Sequence, residues 1–323
     1  MRPWVGNLNP LLISADQGEA KLSFFFRQII NNNNYQMVFF LDIINPLFDF
    51  IRNFIAMRNM LFCALALSTA TQAHEPYVAP LAYLTENTQV PVLSAYAEQA
   101  FHPEYALKDT SFTVFQPNQT QSTVQPVKNL DSAATFDLKL PEKGTYTIFA
   151  KTSYPIDYVQ HNRQWKIFAD VAADKVPALS ERDYVIPSDF KGKVPSKVST
   201  VREWSIQSYV SKDSTSPVAI TPAPIQVSFK THPNQINVQQ PVQLQITQAG
   251  KALAHAELMV RAQGELEQQA KSTPVDAQGN ATLTFEQAGQ YLIEVSEKVD
   301  AKAKPKNQYY SIISLQVNAS KTP

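Results

Sequence analysis

Cysteine is nearly absent from this chain of 323 residues, with Cys63 the single example. Without a cysteine pair, neither a disulfide framework nor a thiolate metal site is available. Charge is sparse too, at 17% of residues, and 28 basic side chains balance 28 acidic ones. A neutral chain with no basic tract has no electrostatic footprint for nucleic acid. Glycine is scarce, with 8 in all and 6 after residue 73. No Gly-rich phosphate loop, nucleophile elbow, zinc-protease helix or calcium loop occurs, and phosphate cradles need more glycine than this. Steady helical periodicity is missing as well.

What is present divides near residue 73. Residues 1–73 hold 9 of the 18 Phe, 9 Asn and few charges, whereas all 5 His lie beyond. From Met57 the chain reads MRNMLFCALALSTATQA. Arg58 gives a positive start, 60–67 an apolar stretch and Thr71-Gln72-Ala73 a small-residue cleavage site, the pattern of a secretory signal peptide. Its apolar stretch is far shorter than the roughly 20 residues that span a bilayer. Cys63 follows bulky Phe62, where a lipoprotein signal needs a small residue. Residues 1–56 show neither helical nor alternating period and read as sequence upstream of the true translation start. A membrane segment at 37–55 is the alternative, interrupted by Asp42, Pro46, Asp49 and Arg52. Cleavage after Ala73 makes His74 the first residue of a mature, cysteine-free protein, which suits the periplasm.

The mature chain is all-β in character. Alternating, β-branched or aromatic runs recur at 90–96, 111–115, 134–140, 145–151, 165–171 and 198–210, then at 225–230, 242–247, 253–261, 281–285, 291–296 and 309–317. Turn residues separate them, as at Pro141-Glu142-Lys143-Gly144 and Asp276-Ala277-Gln278-Gly279-Asn280. Short strands at this spacing predict two β-sandwich domains in tandem, immunoglobulin-like or transthyretin-like. The expected domains are 74–210 and 225–318, joined by a linker at 211–224 whose three prolines favour extended backbone. Within 253–260, Ala254, Ala256, Leu258 and Val260 share the expected core face, and Leu253, His255, Glu257 and Met259 the other. Residues 172–197 read as a long loop. Trp165, Trp204, Tyr209, Tyr309 and Tyr310 fall within strands, where such rings are core or cross-strand neighbours.

His74 carries the most chemistry. An amino-terminal His offers its α-amine and ring Nδ1, which close a six-membered chelate. These groups titrate near about 8 and about 6.5, so both are neutral ligands at mildly alkaline pH. Nitrogen donors suit Ni(II), Co(II), Zn(II) or Cu(II). Pro76 in third position excludes the chelate that uses a third-position His, so further ligands must come from elsewhere. His102 is the next best ligand, in a loop beside Glu98 and Glu104, and His161 lies before a strand. His74, His102, Glu98, Glu104 and His161 are the candidate metal residues. His232, before Pro233, reads as structural or surface, and His255 as a distal strand residue.

Several of these features together resemble a family of periplasmic domains of unknown function regarded as nickel or cobalt uptake components. They are the mature start His74-Glu75-Pro76-Tyr77-Val78, the Glu98–Phe101 loop continuing through His102-Pro103-Glu104-Tyr105, and the Leu-Pro-x-x-Gly-Thr-Tyr run ending at Tyr146. The half after residue 225 is similar to transthyretin-like and bacterial immunoglobulin-like sandwiches through Gly250-Lys251-Ala252-Leu253, Asp276-Ala277-Gln278-Gly279 and Ala288-Gly289-Gln290-Tyr291. The resemblance implies metal handling beside an outer-membrane TonB-dependent receptor or an inner-membrane permease.

The resulting expectation is a non-enzymatic periplasmic protein that binds a divalent transition metal, nickel or cobalt before zinc or copper, and delivers it to an uptake system. Two rivals are a metal-free adhesion or assembly module and a copper redox protein built on a histidine brace.

Overall fold

The computed structural model describes residues 74–126, 128–300 and 302–320, with a short antiparallel pair, Ile30–Asn31 against Asn34–Tyr35. Apart from those four residues, the expected upstream extension and signal peptide lie outside the described residues. The chain divides into two compact units, Met1–Ser68 and Thr69–Pro323.

In chain order the principal strands of the second unit are β1 (Glu75–Pro80), β2 (Gln89–Ala97), β3 (Ala134–Lys139), β4 (Gly144–His161), β5 (Gln164–Phe168) and β6 (Val198–Lys212). They continue with β7 (Ile225–Phe229), β8 (Val242–Gln248), β9 (Glu257–Ala262), β10 (Asn280–Leu283), β11 (Gly289–Ser296) and β12 (Gln308–Val317). The all-β expectation holds: among the described residues the helical content is limited to 3₁₀ turns of three residues.

The strands form three layers. A middle sheet runs β5-β4-β6-β12-β11-β9, one outer sheet runs β1-β2-β3, and another is built from β7, β8 and β10. In β6, Ile206 and Val210 join the core under the first outer sheet, while Tyr209 joins the core under the second. The same division separates Ile312 from Ile313 in β12, and Leu292 from Ile293 in β11. Successive side chains of a strand point to opposite faces, so three central strands serve two cores. These strands bury side chains on both faces, as a sheet covered on both sides requires, and the buried set includes Ser205, Gln207, Ser208, Ser311 and Ser314.

The seam of the middle sheet is the parallel pairing of β6 with β12, from Arg202↔Gln308 to Ser208↔Ser314. Strands from residues 75–212 and from residues 225–317 therefore share one hydrogen-bonded sheet. After β6, residues 215–224 run without regular structure but are tied down: Thr145 N–H donates to Ser216 Oγ at 2.8 Å and Thr221 Oγ1 to Gln207 Oε1 at 3.2 Å.

Two local readings change. β1 carries Pro76 and Pro80, which argue against a strand in sequence, yet all six of its residues are buried. It pairs only with β2, at the edge of its sheet, where a missing N–H is tolerated. The strand expected from 253 begins instead at Glu257. Leu253 and Ala254 lie in a turn with Leu253 N–H on the Ile246 carbonyl at 3.0 Å, and Ala254 is exposed rather than core. That turn closes on Gly279, where a Cβ would sit 2.3 Å from the Ile246 carbonyl oxygen and φ is +76°, so glycine is required there.

Candidate metal centre

The register of β1 on β2 builds the site. Glu75 pairs with Ala97, so the residue before β1, His74, comes opposite the residue after β2, Glu98. The loop from Glu98 folds back on β2, with Glu104 N–H on the Tyr96 carbonyl at 3.0 Å and Tyr105 paired with Tyr96. Glu104 thereby falls between the other two residues. Its Oε1 accepts the Glu98 backbone N–H at 2.8 Å and its Oε2 lies 2.8 Å from His74 Nε2. Tyr105 meets the His74 ring edge-on, centroids 5.1 Å apart. The Glu98 N–H, then the imidazole, hold the Glu104 carboxyl below the usual carboxylate range, so it is an ionised, metal-competent group at neutral pH.

One ligand atom from each of His74, Glu98 and Glu104 lies within 4.8 Å of the others. Donors bound at about 2.0–2.2 Å from one ion stand at most about 4.4 Å apart, close to the spacing found here. The His74 and Glu104 side chains are 32% and 36% exposed, which leaves a side open to exchange. One imidazole and two carboxylates form a nitrogen–oxygen set suited to Zn(II), Co(II), Ni(II) or Mn(II), with no soft donor to select Cu(I).

The geometry sets two binding modes against each other. The amino-terminal chelate uses Nδ1, whereas the nitrogen facing Glu104 is Nε2. A ring that gives Nδ1 and the α-amine to an ion leaves Nε2–H to the Glu104 carboxylate, a second-sphere partner. A ring that gives Nε2 brings Glu98 and Glu104 in as ligands and needs no free amine.

Of the residues singled out in sequence, His74, Glu98 and Glu104 come together, and His102 and His161 stay outside the cluster. His102 is exposed in the same loop, but its Nδ1 bonds Gln99 Oε1 at 2.9 Å. The second imidazole needed by a copper brace is therefore not in the trio. His161 ends β4 at a two-residue hairpin, with Asn162 and Arg163 at φ of 51° and 64°, and its ring packs edge-on against Phe190. His255 has φ of 56° in the turn before β9. His232 is held by the chain itself: Asn234 N–H donates to its Nδ1 at 3.1 Å, and its Nε2 lies 3.0 Å from the Ser216 carbonyl. Among the aromatics, Tyr158, Trp165, Tyr309 and Tyr310 line a cavity of 490 Å³ elsewhere.

Sequence reading missed Arg261. Its side chain is 4% exposed, ion-pairs with Glu75 and donates from Nη1 to the Glu98 carbonyl at 3.0 Å. The signal was the face of Glu257 and Met259, of which Arg261 is the next member.

A family described as a domain of unknown function, DUF4198, matches residues 71–298. The chain belongs to the DUF4198 family. The DUF4198 match takes in His74, Glu75, Glu98, Glu104 and Arg261, and ends before β12. It agrees with the resemblance to a domain of unknown function and carries nothing on nickel or cobalt. None of the curated proteins matches the chain. Solved structures with some likeness include a tetra-tandem repeat in the extending region of a large adhesion protein, at 10% identity and TM-score 0.21, covering 76% of this chain and 50% of that one. The chicken CNTN1 FN1-FN3 domains are 13% identical with TM-score 0.21, covering 76% and 66%. The D0-D1 domain of Intimin is 12% identical with TM-score 0.19, covering 74% and 96%. The chain thus spans half the length of the adhesion repeat.

Proposed function

We propose that this DUF4198 protein is exported, matures at His74, binds one divalent transition metal in the periplasm and passes it to an uptake system. The observation that carries the reading is the convergence of His74, Glu98 and Glu104 on one half-exposed spot, with His74 Nε2 turned to Glu104. Three protein ligands with an open side hold an ion firmly enough to select it and loosely enough to release it, whereas a closed four-ligand cage traps it. Nickel and cobalt are the proposed cargo, with zinc the nearest competitor, and the protein's role is carriage rather than catalysis. The proposed recipient is an outer-membrane receptor or an inner-membrane permease.

Native mass spectrometry under competition among Ni(II), Co(II), Zn(II) and Cu(II) tests this. The protein beginning at His74 is compared with a form carrying one extra Ala before it. Binding of one metal by both forms supports the Nε2–Glu98–Glu104 mode, and loss in the extended form supports the amino-terminal chelate. If neither form retains a metal, the metal reading falls and a metal-free assembly module takes its place.

A further inference from the structure

We infer that Arg261 is a positioning residue that assembles the His74–Glu98–Glu104 trio, making the ligand geometry depend on a strand from the other half of the chain. Its expected effect on affinity rests on the metal-binding reading above; the positional claim does not.

Leu258 and Val260 turn into the core under the second outer sheet, so Arg261 projects from β9 toward the first. There one branch of its guanidinium pairs with buried Glu75, the residue next to His74, and the other donates to the carbonyl of Glu98, itself a candidate ligand. The turn after β9 supports the same loop. Gly264 N–H donates to the Ala100 carbonyl at 2.9 Å, Ala100 N–H to the Glu265 carbonyl at 3.0 Å, and Gln99 bridges to Leu266. Arg261 is thus a two-pronged clamp across the two segments that meet at the site. A lysine keeps the charge but lacks the planar fork that reaches two acceptors at once. An apolar pair of similar volume can replace a buried ion pair, although Arg261 also feels the charges of Glu294, Glu267 and Glu265.

That substitution makes the test. The double variant Glu75→Met with Arg261→Met removes the clamp while refilling its space. Variants are purified after expression of the full chain, zinc affinity is measured by competition with a chromophoric chelator, and amide hydrogen exchange is followed at Glu98, whose N–H is held by Glu104. Clamp loss predicts about 10–100-fold weaker zinc binding, the range for losing an outer-shell support. It also predicts faster exchange at Glu98, with the Ile246 and Leu283 amides unchanged, and an intermediate result for Arg261→Lys. Wild-type zinc affinity and Glu98 exchange in the folded double variant overturn the inference. If the wild type binds no zinc, the metal reading fails, and Glu98 exchange alone decides the positioning role. Should the double variant not fold, Arg261→Lys and Glu75→Gln are judged by the same two readouts.

Discussion

His74 and His232 are the same residue in opposite circumstances. His232 is half-buried, its Nδ1 takes the Asn234 N–H, and its Nε2 donates to the Ser216 carbonyl with Thr145 Oγ1 also 3.0 Å away. Burial pushes its pKa below the ordinary histidine value. Both ring nitrogens are spent on the chain's own groups, so the ring is a neutral structural link. His74 instead faces a half-exposed carboxylate and an aromatic edge. A ring tied to backbone groups cannot be released without breaking the fold, whereas one tied to a side-chain carboxylate can share that partner with an ion.

If that contrast holds, the two regions come apart under mutation. The largest effect belongs to Asn234, whose buried Nδ2 reaches the Tyr83 carbonyl at 2.9 Å, the Tyr209 carbonyl at 3.2 Å and Ser211 Oγ at 2.9 Å. Asn234→Ala is expected to cost about 3 kcal/mol in urea unfolding, since it strands several buried acceptors, while zinc affinity is unchanged. A matching loss of zinc affinity would show that the regions are one unit. Glu104→Gln is the converse: zinc binding weakens by about tenfold or more, and unfolding free energy moves by less than about 1 kcal/mol because the His74 pair is partly exposed. Unchanged zinc affinity in that variant removes Glu104 from the ligand set.

The pH response sharpens the contrast further. His232 titrates lower in the folded protein than unfolded, so its contribution is complete above the unfolded value of about 6.5 and is lost as pH falls from there toward the folded value. His232→Gln is expected to flatten the stability slope below about pH 6.5, a change of at most about 1.4 kcal/mol per pH unit. Urea midpoints at several pH values check it, and parallel curves for the two proteins would contradict it. The smallest effect is at Lys271, whose pair with Glu286 is 3.6 Å long between exposed side chains. Lys271→Ala should move stability by under about 0.5 kcal/mol and leave zinc binding alone; a larger shift in thermal unfolding would show a coupling the ion pair does not explain.

Much of the architecture is legible because strand alternation is a local property. The runs behind β2, β3 and β8 carry it, those behind β6, β11 and β12 are rich in β-branched and aromatic residues, and the Asp276–Asn280 turn announces itself through its own side chains. The sharing of the middle sheet is not local, since Arg202 and Gln308 meet across 106 residues. β1 is obscured by prolines that only an edge position permits. At the site, His74, Glu98 and Glu104 are readable as a terminus beside an acidic loop. His102 and His161 share that reading but not the geometry, because neighbouring side chains turn one ring to Gln99 and the other to Phe190. Arg261 lies 163 residues from Glu98, and no spacing rule connects them.

The most direct test of the central claim is X-ray diffraction at the zinc absorption edge, on crystals of the protein beginning at His74 grown with one equivalent of Zn(II). The account predicts one anomalous peak about 2.0–2.2 Å from His74 Nε2 and from a carboxylate oxygen of Glu98 and of Glu104. A peak on the His74 amine and Nδ1 would replace this mode with the terminal chelate. A peak away from His74, or none, would contradict the account.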